Sequence, residues 1–132
     1  MPPSPSKPGS SYRKFAEGSG RRGERWASLF LNLKLYRIIG RRVKTPVGEL
    51  DLVAERFGTI VFVEVKSRGF SHQEEDALSA VNQRRIVNAA RFWLSRHPRL
   101  VDTPMRFDVI FLAPFAWPRH ITGAFDATGL VS

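Results

Sequence analysis

Gly48-Glu49-Leu50-Asp51-Leu52-Val53-Ala54 and, five residues on, Ile60-Val61-Phe62-Val63-Glu64-Val65-Lys66 place four charged side chains inside two β-prone apolar runs. Side chains alternate across a strand, so Glu49 and Asp51 share one face, as do Glu64 and Lys66. The short connection at Arg56-Phe57-Gly58 predicts an antiparallel hairpin. A loop of two or four residues centred on Phe57-Gly58 sets Asp51 opposite Glu64 and Glu49 opposite Lys66. Directly opposed Cβ atoms lie about 4.5–5.5 Å apart, close enough for two carboxylates to share one cation. A one-residue slip would send the acids to opposite faces.

Charge beside Val and Phe is costly unless it is paired or holds a metal, and such conflicts mark functional positions. Two adjacent carboxylates repel, which raises one pKa unless a cation intervenes. An oxygen-only pair selects a hard ion, Mg²⁺ or Mn²⁺. Such an ion polarises phosphoryl oxygens and generates hydroxide near neutral pH, and Lys66 on the same face would orient the water or offset phosphorus-centred charge. That is a hydrolytic phosphodiesterase arrangement. The same spacing equally describes two cross-strand ion pairs on a solvated sheet face, worth ~0–1 kcal/mol, and spacing alone leaves both open.

Working outward, residues 1–21 are rich in Pro, Ser, Gly and Arg and read as a disordered basic tail, unable to bury enough surface to fold. Residues 22–132 read as a single domain. The recurrence of Ala27, Phe30, Leu31 and Leu35 predicts a helix from about Gly23 to Lys34. Tyr36 to Val43 reads as a strand, followed by a Thr45-Pro46-Val47-Gly48 turn, then the hairpin of Leu50–Glu55 and Thr59–Ser67. Arg68–Leu78 reads as a loop. A long helix follows from about Ala80 to Arg96, with Ile86, Ala89, Ala90 and Trp93 buried and Ser79 as N-cap. A capping box of Ser71 with Glu74 also fits. Pro98 ends that helix. Met105–Ala113 is a strand, and Arg119–Ile121 adds a short edge strand. The order α-β-β-β-α-β makes an α/β fold with a mixed central sheet flanked by helices. Trp26, Trp93 and Trp117 read as packing residues, and Arg106 with Asp108 as a local ion pair.

A chain of 132 residues holds one domain, and 42% apolar residues are enough for a core. With no cysteine, disulfides and thiolate metal sites are excluded, and His72, His97 and His120 lack zinc-type spacing. No apolar run approaches the ~20 residues of a membrane helix. The amino end lacks a secretory apolar stretch, so a cytoplasmic protein is expected. The net charge of +9 is lopsided: residues 1–44 hold 11 Lys and Arg against 2 acids, and residues 45–132 hold 10 of each. A localised basic segment is the footprint of a polyanion partner. A solubilising tail is the plainer reading.

Asp51 with Glu64-Val65-Lys66 resembles the PD-(D/E)XK nuclease signature, with Leu50 where its proline would stand. The runs Gly20-Arg21-Arg22-Gly23-Glu24-Arg25-Trp26-Ala27, Gly48-Glu49-Leu50-Asp51-Leu52, Phe62-Val63-Glu64-Val65-Lys66-Ser67-Arg68, Ala89-Ala90-Arg91-Phe92-Trp93-Leu94 and Arg106-Phe107-Asp108-Val109 together resemble the bacterial YraN family. That family is uncharacterised and nuclease-like, akin to archaeal Holliday-junction resolvases. The resemblance implies a restriction-endonuclease-like core in which Asp51, Glu64 and the Val65 carbonyl bind metal and Lys66 assists catalysis. Glu24 matches the acid that completes such sites, although a first-turn acid favoured by the helix dipole explains it too. Glu49 is a supporting residue.

Nucleic acid, DNA rather than RNA, is the implied partner, with Arg21, Arg22, Arg25, Arg41, Arg42, Lys44, Arg68, Arg84 and Arg85 as candidate contacts. Resolvase-like enzymes act as symmetric dimers, so a homodimer is implied, although no residue marks its surface. The chain departs from the family at Asn82-Gln83, where a Lys-Gln pair is usual, so Arg84 or Arg85 must replace that lysine or activity falls. The alternatives are a non-catalytic nucleic-acid-binding module on the same fold and a scaffold for a protein partner.

Overall fold

The computed structural model describes residues 23–66 and 79–127. The expected tail at 1–21 and loop at 68–78 lie outside them, as do Arg21, Arg22 and Arg68. The first helix, α1, occupies 23–33 within the described residues. It is followed by β1 (Arg37–Thr45), β2 (Gly48–Arg56), β3 (Thr59–Lys66), α2 (Ala80–Ser95), a single 3₁₀ turn (Pro98–Leu100), β4 (Met105–Phe111) and β5 (Arg119–Phe125). The five strands form one sheet in the order β1-β2-β3-β4-β5. All neighbours are antiparallel except β3 and β4, which run parallel. A parallel pair needs a long crossover, and α2 supplies it. The α/β expectation with a mixed sheet therefore holds.

The hairpin turns at Phe57 (φ 50°) and Gly58 (φ 83°), the pair of positive φ values of a type I′ turn, whose twist matches that of the flanking strands. This turn fixes the register from Arg56↔Thr59 to Leu52↔Val63. The parity is the one expected from the acids, and it sends the hydrophobic alternation to two different layers. On one face Val53, Ile60, Phe62 and Phe107 pack against Ile86, Ala89, Ala90 and Trp93 of α2. On the other, Leu52, Ala54, Val61, Val63 and Ile110 pack against Ala27 and Leu31 of α1. Full burial of each such aliphatic or aromatic side chain is worth about 1.5–3 kcal/mol, so both helices are held mainly by these stripes.

Several local expectations are corrected. Leu35 is exposed, because the chain leaves α1 there through a left-handed residue (φ 72°). Trp26 and Trp117 are also exposed, and of the three tryptophans only Trp93 is a core residue. The edge strand β5 runs to Phe125, longer than Arg119–Ile121. It is anchored by Phe107 stacked on Phe125 and by a polar network around Asp108.

Arg106 and Asp108 do pair, at 2.7 Å, as one edge of that network. The fully buried Asp108 carboxylate also accepts the Gly123 amide (2.9 Å) and meets His120 Nε2 at 2.7 Å. Lys34 Nζ lies 2.7 Å from His120 Nδ1. An ammonium has only protons to give, so Nδ1 accepts and Nε2 carries the proton donated to Asp108. Burial alone would raise the Asp108 carboxyl, but hydrogen bonds from His120, Arg106 and the Gly123 amide outweigh it and hold the group below the usual carboxylate value. The network ties the end of α1 to β4 and β5. His120→Ala is expected to lower unfolding free energy by about 2–3 kcal/mol, the worth of hydrogen bonds to a charged group, measured by urea denaturation at pH 7. An unchanged midpoint would show the network to be dispensable.

Candidate metal centre

β2 and β3 part company just beyond the last paired residues, Leu52 and Val63. β3 continues alongside β4 through Glu64↔Val109, Val65↔Ile110 and Lys66↔Phe111, while β2 stays with β1 through Val43↔Leu50 and Lys44↔Glu49. The next rung, Asp51 facing Glu64, falls at the mouth of this fork. There the Val65 amide, lacking a β2 carbonyl, donates to Asp51 Oδ2 at 2.8 Å. Backbone groups on β3 alternate between neighbours: Ile60 N bonds Pro104 O, and Leu112 N bonds Lys66 O, both on the β4 side. The N–H and C=O of Val65 therefore face the fork, beside Asp51.

Both carboxyls are partly buried and stand within hydrogen-bonding reach of one another. Burial first, and then the charge and hydrogen bond of Glu64, push the Asp51 carboxyl up to about 8. The Val65 amide pulls the other way, and Glu24 adds a smaller push. A carboxyl held as Asp51 is keeps its proton near neutral pH, or exchanges it for a cation. At the fork a narrow crevice is lined by Glu49, Asp51, Glu64 and Ile86 among others. Two carboxylates and one carbonyl form an all-oxygen donor set suited to a hard divalent ion, so the residues present fit Mg²⁺ or Mn²⁺. Among the described residues, no group of three or more His, Cys, Asp and Glu side chains stands close enough to hold a metal.

Glu24 acts on Asp51 through its charge. Its carboxylate lies 3.9 Å from Arg42 Nε, and the backbone of Arg42 is left-handed (φ 48°) within β1. Arg42, expected to contact nucleic acid, thus faces an acid of the cluster. Lys66 lies two residues beyond Glu64 on the same face and is half-buried. Glu49 is exposed at the cleft rim, opposite Lys44 in the register. Arg25, Arg41, Lys44, Arg84 and Arg85 are exposed.

Asn82 was visible in the sequence only as a departure from a family pattern. In the structure it is buried and donates from Nδ2 to Glu64 Oε2 at 3.1 Å. Its Oδ1 accepts from Arg85 at 2.5 Å, and its backbone amide is capped by Ser79 at 3.2 Å. The stem of Arg85 in turn packs over Gly48, where a Cβ would come within 2.9 Å of it. The start of α2 is thereby clamped onto one carboxylate of the pair. A sequence signal existed: Asn82 sits on the apolar stripe of Ile86, Ala89 and Trp93, where a polar residue needs a partner.

Residues 23–112 match the model of the uncharacterised protein family UPF0102. A UPF0102 protein of Rhodopseudomonas palustris (strain ATCC BAA-98 / CGA009) is 46% identical over 123 residues, covering 93% of this chain and 95% of the relative. Another, from Methylorubrum extorquens (strain PA1), is 42% identical over 126 residues, with 96% and 98% covered. A third, from Rhodopseudomonas palustris (strain BisA53), is 42% identical over 124 residues, with 94% and 95% covered.

Proposed function

We propose, from the premise that the chain belongs to the uncharacterised protein family UPF0102 (the YraN family), that it hydrolyses phosphodiester bonds in nucleic acid with a divalent cation held by Asp51 and Glu64. The observation that carries this reading is the pairing of those carboxyls in the strand fork, where burial and mutual repulsion hold a proton that a cation would displace. The Val65 carbonyl would be the third ligand. Mg²⁺ or Mn²⁺ bound there would polarise a phosphoryl oxygen and lower the pKa of water.

The protein's own groups do the rest. The ammonium of Lys66 stabilises charge gathering on the phosphoryl oxygens. Asn82 and Arg85 hold Glu64 in a single orientation, so that little reorganisation is needed as charge develops. Arg25, Arg41, Lys44 and Arg84 attract the polyanion. DNA is the preferred substrate, branched DNA included. The test incubates the protein with single-stranded, duplex and four-way-junction DNA, and with RNA, in Mg²⁺, Mn²⁺ or EDTA. Metal-dependent cleavage is expected, and its absence on every substrate would end the catalytic reading.

A second reading is a binding module without turnover. It is favoured by the absence, among the described residues, of a third acidic or histidine ligand. In both readings affinity for duplex DNA falls linearly on a log–log plot against salt, with about 0.9 of slope per neutralised phosphate. Arg41→Ala combined with Lys44→Ala is expected to reduce that slope by about 2, measured by fluorescence anisotropy with a labelled duplex between roughly 50 and 200 mM salt. An unchanged slope would remove β1 from the interface.

A further inference from the structure

We infer that two copies of this chain associate through the face made by α1 and the β4–β5 connection. Ala27 and Leu31 of α1 are consumed by the sheet, yet the helix carries a second apolar stripe of Trp26, Leu29, Phe30 and Leu33. This stripe forms one wall of a groove of about 740 Å³, and residues 112–118 form the other. Trp26 is 64% exposed, Leu33 76% and Trp117 87%, and Phe115 projects fully into solvent.

Three properties single out a second copy as the occupant. First, among the described residues no charged side chain lines the groove. Nucleic-acid phosphates would find no partner there, whereas the cores of protein interfaces are depleted of charge and enriched in Trp and Phe. Second, the area is right. Trp26, Phe115 and Trp117 together leave on the order of 500 Å² uncovered, at about 150–250 Å² per aromatic ring, and Leu29 and Leu33 add to it. This approaches the ~800 Å² per partner of a standard interface and reaches the upper end of what monomers leave open, where such patches are often functional.

Third, the patch carries a knob and a hole side by side, as a two-fold interface requires, because each copy must offer what the other receives. Phe115 is the knob. Its backbone is left-handed (φ 60°), an unfavourable setting for a bulky residue, and its ring stands wholly in solvent at the rim of the groove. Phe115 of each copy enters the groove of the other, between α1 and Trp117. The dimer so formed joins the two chains along α1, the helix that also carries Glu24. This inference does not depend on the phosphodiesterase reading, since it uses none of the residues of the fork.

Sedimentation velocity of the full chain from 1 to 100 µM, with tryptophan emission recorded alongside, tests it. The expected mass is twice 15.0 kDa, with emission moving to shorter wavelength as concentration rises because Trp26 and Trp117 leave water. Phe115→Asp and Leu33→Lys, both at exposed positions, are each expected to weaken association by about 30-fold or more, as loss of a central anchor does, with unchanged circular dichroism. If one variant loses its fold, the other decides. A wild-type monomer at 100 µM overturns the inference, as does a dimer unaffected by either substitution. So does a monomer whose tryptophan emission shifts with single-stranded oligonucleotide or with phosphatidylglycerol vesicles.

Discussion

Asp51→Asn and Glu64→Gln are each expected to slow metal-dependent cleavage by roughly 10³-fold, the scale of losing a preorganised electrostatic group at a reacting phosphate. Both replacements keep size and hydrogen-bonding shape. In Asp51→Asn the amide oxygen can still accept from the Val65 N–H, a bond of 2.8 Å in the wild type, and in Glu64→Gln the amide oxygen can still accept from Asn82. The loss would therefore report the missing charge rather than a collapsed fork. Because both acids are proposed to serve one ion, the double variant is expected to be little slower than either single one. Lys66→Ala, which leaves the donor set intact, is expected to slow cleavage by roughly 10²-fold with metal affinity preserved in calorimetry. Initial rates on the preferred substrate, with substrate and Mn²⁺ saturating, decide the matter. Undiminished cleavage in Asp51→Asn would place the active centre elsewhere.

The hairpin was legible in the sequence because two independent signals agree on it. Strand parity puts Asp51 on the face of Val53 and Glu64 on that of Phe62, and Phe57-Gly58 offers the tight turn that sets the register. The buried face of α2 was legible for a similar reason, since Ile86, Ala89, Ala90 and Trp93 follow a single stripe. The full length of β5 was not legible. Its sequence Arg-His-Ile-Thr-Gly-Ala-Phe reads as polar, and it is placed by pairing with β4 and by His120 and Gly123 turning to Asp108, contacts made only in the fold. Trp26 misled for the opposite reason. α1 is apolar on more than one side, and nothing local says which side the sheet will take. At the candidate site, the meeting of Asp51 with Glu64 followed from strand parity, whereas the fork followed from β3 exchanging its neighbour, a long-range event. The hold of Asn82 on Glu64 needed the packing angle of α2, which no local pattern encodes.

The same fork makes the metal-free protein pay for its acids, and that cost has a pH signature. Burial and the neighbouring Glu64 push the Asp51 carboxyl from its ordinary 3.8 up to about 8 in the fold. A carboxyl whose folded pKa is raised contributes no penalty below its unfolded value. As pH rises from about 4 to about 8, the unfolded chain releases a proton that the folded chain retains, so stability falls across that window and levels off above it. At 1.36 kcal/mol per pH unit, the Asp51 carboxyl is expected to take on the order of 4 kcal/mol from the wild type relative to Asp51→Asn, in EDTA, between pH 4 and pH 7. An amide at this position mimics the protonated acid and has nothing to titrate. Asp51→Asn is therefore expected to match the wild type near pH 4 and to melt on the order of 10 °C higher at pH 7. Mn²⁺ offers the wild type another escape, by taking the place of the proton. It is expected to raise the wild-type midpoint at pH 7, to release a proton on binding, and to leave the Asp51→Asn variant unmoved. Scanning calorimetry at a series of pH values, with EDTA or Mn²⁺, reads all of this. Parallel wild-type and variant curves from pH 4 to pH 8 would mean that neither burial nor Glu64 raises the Asp51 carboxyl in the folded chain, and the proton that the proposed cation displaces would not be there.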